Sequence, residues 1–232
     1  MNARTNKTEM IKKISLCGVF SALAYICVCV FRIKVSFLTL DIKDAIIASA
    51  AMILGPIAGV VISLIVAFIE MLTVSDTMIY GFIMNFLSSA TLSVVASMIY
   101  RQRRNLFSAV LGLITAVFSV TAVMMLANLF ITPFYMGVPR GEVAKLIPKL
   151  LLPFNLTKAI LNSALVMIIY KPISTALLRA GVIKKSAGNT NATYRLNIKT
   201  VFVTLISICV LVASLLVFFL VLNAEISFFN IK

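Results

Sequence analysis

The feature that most constrains this chain is a series of apolar runs, each near the length that crosses a bilayer, separated by short polar or basic segments. A spanning helix needs about 20 apolar residues. Within lipid every backbone N–H and C=O must be satisfied inside the protein, and helices do this within one segment. The first run covers residues 14–31 and follows Lys12 and Lys13. A polar stretch at 32–44 leads to a shorter run, 45–54, broken at Gly55-Pro56. Proline lacks the N–H a helix interior needs, so this dipeptide reads as a break between two helices. Further runs cover 57–72 and 79–100, the latter ending at Arg101, Arg103 and Arg104. The fifth, 106–132, is expected to stop at Pro133. Residues 134–152 are mixed, with Pro139 and Pro148. A sixth run, 154–170, ends at Lys171-Pro172, with an apolar stretch to Leu178 at the interface. A basic linker at 179–199 precedes a last run, 201–222.

The expectation is an all-α integral membrane protein with six or seven crossings. Hydrophobic residues are 62% of the chain and charged residues 12%, which leaves no room for a separate soluble domain. The net charge of +14 would suit nucleic acid, but the basic residues cluster between apolar runs, as in cytoplasmic loops. No nucleic-acid partner is expected. With the N-terminus inside, the inner segments hold Arg4, Lys7, Lys12, Lys13, Arg101, Arg103, Arg104, Lys171, Arg179, Lys184, Lys185, Arg195 and Lys199. That orientation puts the C-terminus outside, together with the segments at 32–44, 73–77 and 134–152. Long connections over a helix bundle often form lids or binding loops.

Histidine is absent, which removes His-based triads, haem ligation and His-containing metal sites. No nucleophile–base pair stands out, so no enzyme and no metal are expected. Cys17, Cys27, Cys29 and Cys209 lie in apolar runs and read as small core or lipid-facing residues. The first run is long and lacks a cleavage site, unlike a signal peptide. No Gly-rich phosphate loop ending in Lys and Ser/Thr is present, so active transport would draw on partners or an ion gradient. The shortage of membrane carboxylates counts against the gradient.

Polar groups within spans mark protein contacts or cavities. Asn155, Lys158 and Asn162 share one helix face. Lys158 either snorkels to the outer interface or lines an outward-facing pocket. Asn128 either makes an interhelical bond or joins that pocket, with Asn85 at similar depth and Thr39, Asp41 and Asp44 in the first outer segment. Gly18 and Ala22, four apart, form a small-residue face suited to packing inside the bundle or to docking a membrane partner.

Several short motifs, in order, carry a resemblance. They are LTLDIKD at 38–44, GPIAG at 55–59, GFIMN at 81–85, Asn128 ahead of TPFY at 132–135, and PFNLTK at 153–158. Over residues 11–178 the chain resembles the substrate-binding (S) subunits of energy-coupling factor (ECF) vitamin transporters, and within them the riboflavin-specific members. The resemblance implies a six-helix bundle in a bacterial plasma membrane. It implies a vitamin bound near the outside and released inward with a transmembrane coupling subunit and two cytoplasmic ATPases. It points to Thr39, Asn85, Asn128, Asn155 and Lys158 as ligand-binding and to Gly18 and Ala22 as partner-docking, where the family more often has Ala for Gly. The ligand expected is riboflavin or a related flavin, carried rather than kept as a cofactor. An Asn amide offers both donor and acceptor to the pyrimidine edge of such a ring. Another vitamin or a flavin nucleotide is the alternative, since Arg140, Lys145 and Lys149 could face a phosphate. A non-transport scaffold is the other. The family ends after six helices, so the last run is an addition. The expected organisation is a vitamin-binding domain at 1–180, a linker at 181–199, and an extra helix and tail at 200–232.

Overall fold

The structure, a computed structural model, describes residues 2–181, 198–220 and 225–227, with side chains described for 9–181 and 201–220. The expected linker at 181–199 falls mostly outside them. Helix α1 (Asn2–Val30) carries the first apolar run. Helix α2 (Lys43–Leu54) and helix α3 (Pro56–Thr73) meet at Gly55, whose φ of 122° suits a residue without Cβ, and Pro56 opens α3 where no helical N–H is needed. Helices α4 (Met78–Arg103) and α5 (Leu106–Met136) are joined at Arg104 and Asn105, and the Asn105 side chain caps α5 by accepting from the Ser108 N–H. Helix α6 (Arg140–Leu146) and a π-helical turn (Ile147–Leu151) lead into α7 (Leu152–Arg179), and α8 (Ile198–Leu220) follows.

Six of these segments are long and apolar enough to cross a membrane, and they include α8. Helix α2 is not among them. Twelve residues reach only about 18 Å. It is instead enclosed by α1, α3, α4 and α7, with nine positions from Lys43 to Met52 buried. Helices α1–α5 and α7 therefore make the six-helix bundle, and α8 is the additional C-terminal helix, packed on α7.

Small residues allow this close packing. A Cβ at Gly59 would stand 2.8 Å from both Ala51 Cβ and Ser93 Oγ, and one at Gly112 would stand 2.9 Å from the Ala96 carbonyl oxygen. Around these contacts Ala48, Met52, Leu92, Leu113, Val120 and Val166 form one apolar core. Outward positions such as Ile57, Phe107 and Phe118 are exposed, as lipid-facing residues are.

Three local expectations are corrected. Helix α5 continues through Pro133 and ends at Gly137 in the left-handed region (φ 66°), one turn later than expected. Helix α7 likewise continues through Pro172 to Arg179. A lost backbone bond at a proline is tolerated in a membrane helix when neighbours re-satisfy the freed groups. The segment at 32–44 is not a loop. It folds into antiparallel strands β1 (Arg32–Val35) and β2 (Leu38–Asp41), paired from Arg32↔Asp41 to Val35↔Leu38, with Ser36 at φ 56° in the turn. A third strand, β3 (Glu225–Ser227), pairs with the other edge of β1, giving the order β2-β1-β3.

Candidate functional site

Where the hairpin meets the bundle, a cavity of about 130 Å³ is lined by the hairpin, by the turn after α3 and by helices α1–α5 and α7. The hairpin contributes Phe37, Leu38, Thr39 and Asp41, and the turn after α3 contributes Val74 to Thr77. Tyr80, Met84, Asn85 and Ser88 come from α4, Tyr135 from α5, and Asn155 and Lys158 from α7. The three segments read as outer connections, 32–44, 73–77 and 134–152, therefore each reach the same cavity.

Most of its charged wall is one connected network, from Lys158 through Asp41, Lys43 and Glu70 to Asn85. Asp41 sits at the end of β2 because its register opposite Arg32 brings it to the mouth of α2. Its Oδ2 accepts from Lys158 Nζ at 3.0 Å and from Lys43 Nζ at 3.3 Å. Lys43 Nζ also donates to both oxygens of Glu70 at 2.7 Å, and Glu70 Oε2 accepts from Asn85 Nδ2 at 2.9 Å. Lys158 further donates to the Thr39 carbonyl at 3.2 Å. Asp44 accepts from Ser88 and Ser89. Burial by itself would raise the Asp41 carboxyl, but Lys158 and Lys43 outweigh it and hold the group down at about 2. Asp41 is therefore ionised at any physiological pH.

The expected residues fall into different places. Thr39, Asn85, Asn155 and Lys158 are brought together on the cavity wall. Lys158 is 8% exposed and salt-bridged, so it does not snorkel. Asn155 Nδ2 donates to the Leu151 carbonyl, and its Oδ1 has no partner among the described hydrogen bonds. Asn128 is not on the wall. It is fully buried, its Nδ2 donating to the Met124 carbonyl and its Oδ1 accepting from Thr132 Oγ1. Thr132 Oγ1 in turn accepts from the Tyr135 hydroxyl at 3.3 Å, so Asn128 reaches the cavity through a residue that lines it. Asn162 is also behind the wall. Its Oδ1 accepts from the Ala45 N–H at 2.9 Å, and its Nδ2 donates to the Asp41 carbonyl at 3.1 Å, fixing the start of α2 against α7. Gly18 and Ala22 lie on the exposed face of α1, with no atom within 4 Å of a Gly18 Cβ position.

Sequence reasoning missed Lys43 and Glu70 as a pair. The signal was present: an acid inside the apolar run at 57–72 has to find a cation. It also missed the aromatic side. Tyr135 packs edge-on to Phe37 with centroids 6.2 Å apart, and lies 6.1 Å from Tyr80. These rings come from β-turn, α4 and α5, and no linear spacing connects them. The site thus offers flat apolar faces on one side and fixed donors and acceptors on the other. That combination suits a planar heteroaromatic ligand.

Comparisons with known proteins give one consistent answer. The family model described as "ECF transporter, substrate-specific component" matches residues 12–170. The riboflavin transporter RibU of Staphylococcus aureus (strain TCH60) is 29% identical over 150 residues, which covers 62% of this chain and 78% of that protein. A solved chain described as "Structure and mechanism of the S component of a bacterial ECF transporter" superposes with a TM-score of 0.61 at 27% identity, covering 74% of this chain and 98% of that one.

Proposed function

We propose, from the premise that this chain belongs to the family of ECF transporter substrate-specific components, that its cavity captures riboflavin for uptake across the membrane. The observation that carries this reading is the convergence of Thr39, Asn85, Asn155 and Lys158 with Phe37, Tyr80 and Tyr135 around one cavity. The likeness to RibU supports a flavin over other vitamins. A flavin ring stacks against aromatic side chains, and the partner-free Asn155 Oδ1 can accept from its imide N–H. The ribityl hydroxyls then meet the charged network. The cavity as it stands is smaller than the roughly 300–1,000 Å³ usual for small-molecule sites, so its walls part on binding. The hairpin and the turn at Val74–Thr77 are the wall segments outside the helices.

An unphosphorylated ligand fits better than a flavin nucleotide. Arg140, Lys145 and Lys149 are not among the lining residues. Lys145 pairs with Glu142 at 2.8 Å, and the Arg140 guanidinium lies 5.2 Å from the centre of the Phe130 ring. Lys43 and Lys158 are already paired to carboxylates. The hairpin end faces outward in this reading, with the N-terminus in the cytoplasm, because Arg101, Arg103 and Arg104 stand at the far end of α4. The exposed small-residue face at Gly18 and Ala22 is the proposed contact with the coupling subunit, and two ATPases supply the energy.

Absorption and fluorescence test the ligand directly. Protein purified from riboflavin-fed cells carries a yellow, fluorescent ligand, and stripped protein quenches added riboflavin. Tight binding of another vitamin with no response to riboflavin sinks the flavin assignment. Equal affinity for riboflavin and its phosphate ester sinks the preference for the unphosphorylated form.

A further inference from the structure

Two four-residue strands joined by a tight turn hold together poorly alone. In this protein the hairpin is nevertheless well anchored. Ile33, Val35 and Leu40 are at most 1% exposed. Helix α7 covers them with Phe154 and Leu161, and α8 covers them with Phe218. Phe218 is fully buried, although α8 is mostly exposed along its length. Its ring meets Phe154 edge to face with centroids 5.5 Å apart, and Leu215, one turn earlier, packs on the same cluster. Beyond α8 the chain returns as β3 and pairs with the edge of β1 that β2 leaves open.

The same hairpin walls the cavity through Phe37, Leu38, Thr39 and Asp41. The α8–β3 segment and the cavity therefore share one small sheet and the Phe154 side chain, which packs on Phe218 and lines the cavity. Moving the hairpin off the cavity means breaking the β1–β3 ladder and uncovering Phe218. A helix that served only to anchor a tail would need neither contact.

We infer that the seventh helix and its terminal strand fasten the cavity hairpin, with Phe218 as the positioning residue, and so slow the escape of bound ligand. The inference rests on reading the cavity as a flavin site, and it deepens that reading. Affinity differences between related complexes lie mostly in dissociation rates, which is where a fastened wall acts.

Three full-length variants test it: Phe218→Ala, Phe218→Leu, and Ile226→Pro, which disrupts the β3 strand. Amide hydrogen exchange of residues 32–41 is read without ligand, and riboflavin dissociation is read by fluorescence recovery. Phe218→Ala and Ile226→Pro should speed exchange at 32–41 by about tenfold or more while α4 and α5 stay protected. Each should also speed riboflavin release by about tenfold, and Phe218→Leu should restore most of both. Unchanged exchange in Phe218→Ala and Ile226→Pro overturns the inference. So does faster exchange with an unchanged release rate. If Phe218→Ala does not insert, Ile226→Pro decides. If the parent protein binds no riboflavin, the flavin reading fails and the exchange of 32–41 alone decides whether the segment fastens the hairpin.

Discussion

The two ends of the bundle are held together by opposite means. At the hairpin end, Asp41, Lys43, Asp44, Glu70 and Lys158 are all buried; salt bridges join Asp41, Lys43, Glu70 and Lys158, and Asp44 accepts from Ser88 and Ser89. Further along, α2, α3, α4 and α5 meet through Ala51, Gly59, Ser93, Ala96 and Gly112, closing on the Tyr100–Tyr170 hydroxyl pair at 2.7 Å. Close packing of small residues is an efficient stabiliser inside a membrane. Buried ion pairs are not, because desolvation consumes much of their attraction. A charged network built beside a cavity is therefore better explained by what the cavity does than by stability. The seam supplies the rigidity against which that network is held.

The strongest way to break the comparison is Glu70→Ala. It leaves Lys43 Nζ with only the longer contact to Asp41 and should cost about 3–5 kcal/mol, the scale for removing one partner of a buried ion pair. Thermal unfolding in detergent reads the loss. The double variant Lys43→Met/Glu70→Leu should recover most of that stability while abolishing riboflavin binding. Recovery of both would show that the network is structural after all. Next comes the seam. Gly112→Ala pushes a methyl to within 2.9 Å of the Ala96 oxygen and should cost about 1–3 kcal/mol through overpacking, with ligand affinity unchanged. Asn155→Ala should do the reverse, weakening riboflavin by more than about 1 kcal/mol in a fluorescence titration with little change in the unfolding midpoint. Smallest is Tyr170→Phe, which removes one hydroxyl bond and should lower stability by about 0.5–1.5 kcal/mol without touching binding.

What was legible in the sequence tracks the same division. The helices announce themselves by apolar length, and Gly55-Pro56 by backbone chemistry, so the break between α2 and α3 falls where it was expected. The alignment of Asn155, Lys158 and Asn162 follows from helical spacing alone. The hairpin was hidden because its strands are four residues long and carry Arg32 and Lys34. Its alternation was there, with Ile33 and Val35 turned inward, but two apolar residues are too few to set a period. Pro133 misled for a different reason. A proline rule drawn from isolated helices gives way when neighbouring helices support the turn. Asn128 stands one turn from Thr132, but its side chain is bonded within its own helix and is not on the cavity wall. Depth is a property of position along a helix, whereas direction depends on which neighbours pack around it.

The clamp made by Asn162 has a consequence for how the protein is assembled. It ties the Asp41 carbonyl and the Ala45 N–H to a side chain 121 and 117 positions later. Helix α2 is delivered by the ribosome early, with Lys43 and Asp44 on it and too little length to span lipid alone. Its enclosing partner α7 arrives four helices later, counting only the long ones up to and including it. The bonds that fix the start of α2 therefore cannot form until α7 is made. Completion of the cavity therefore needs α7, and a chain interrupted before that helix lacks the wall made by Asn155 and Lys158.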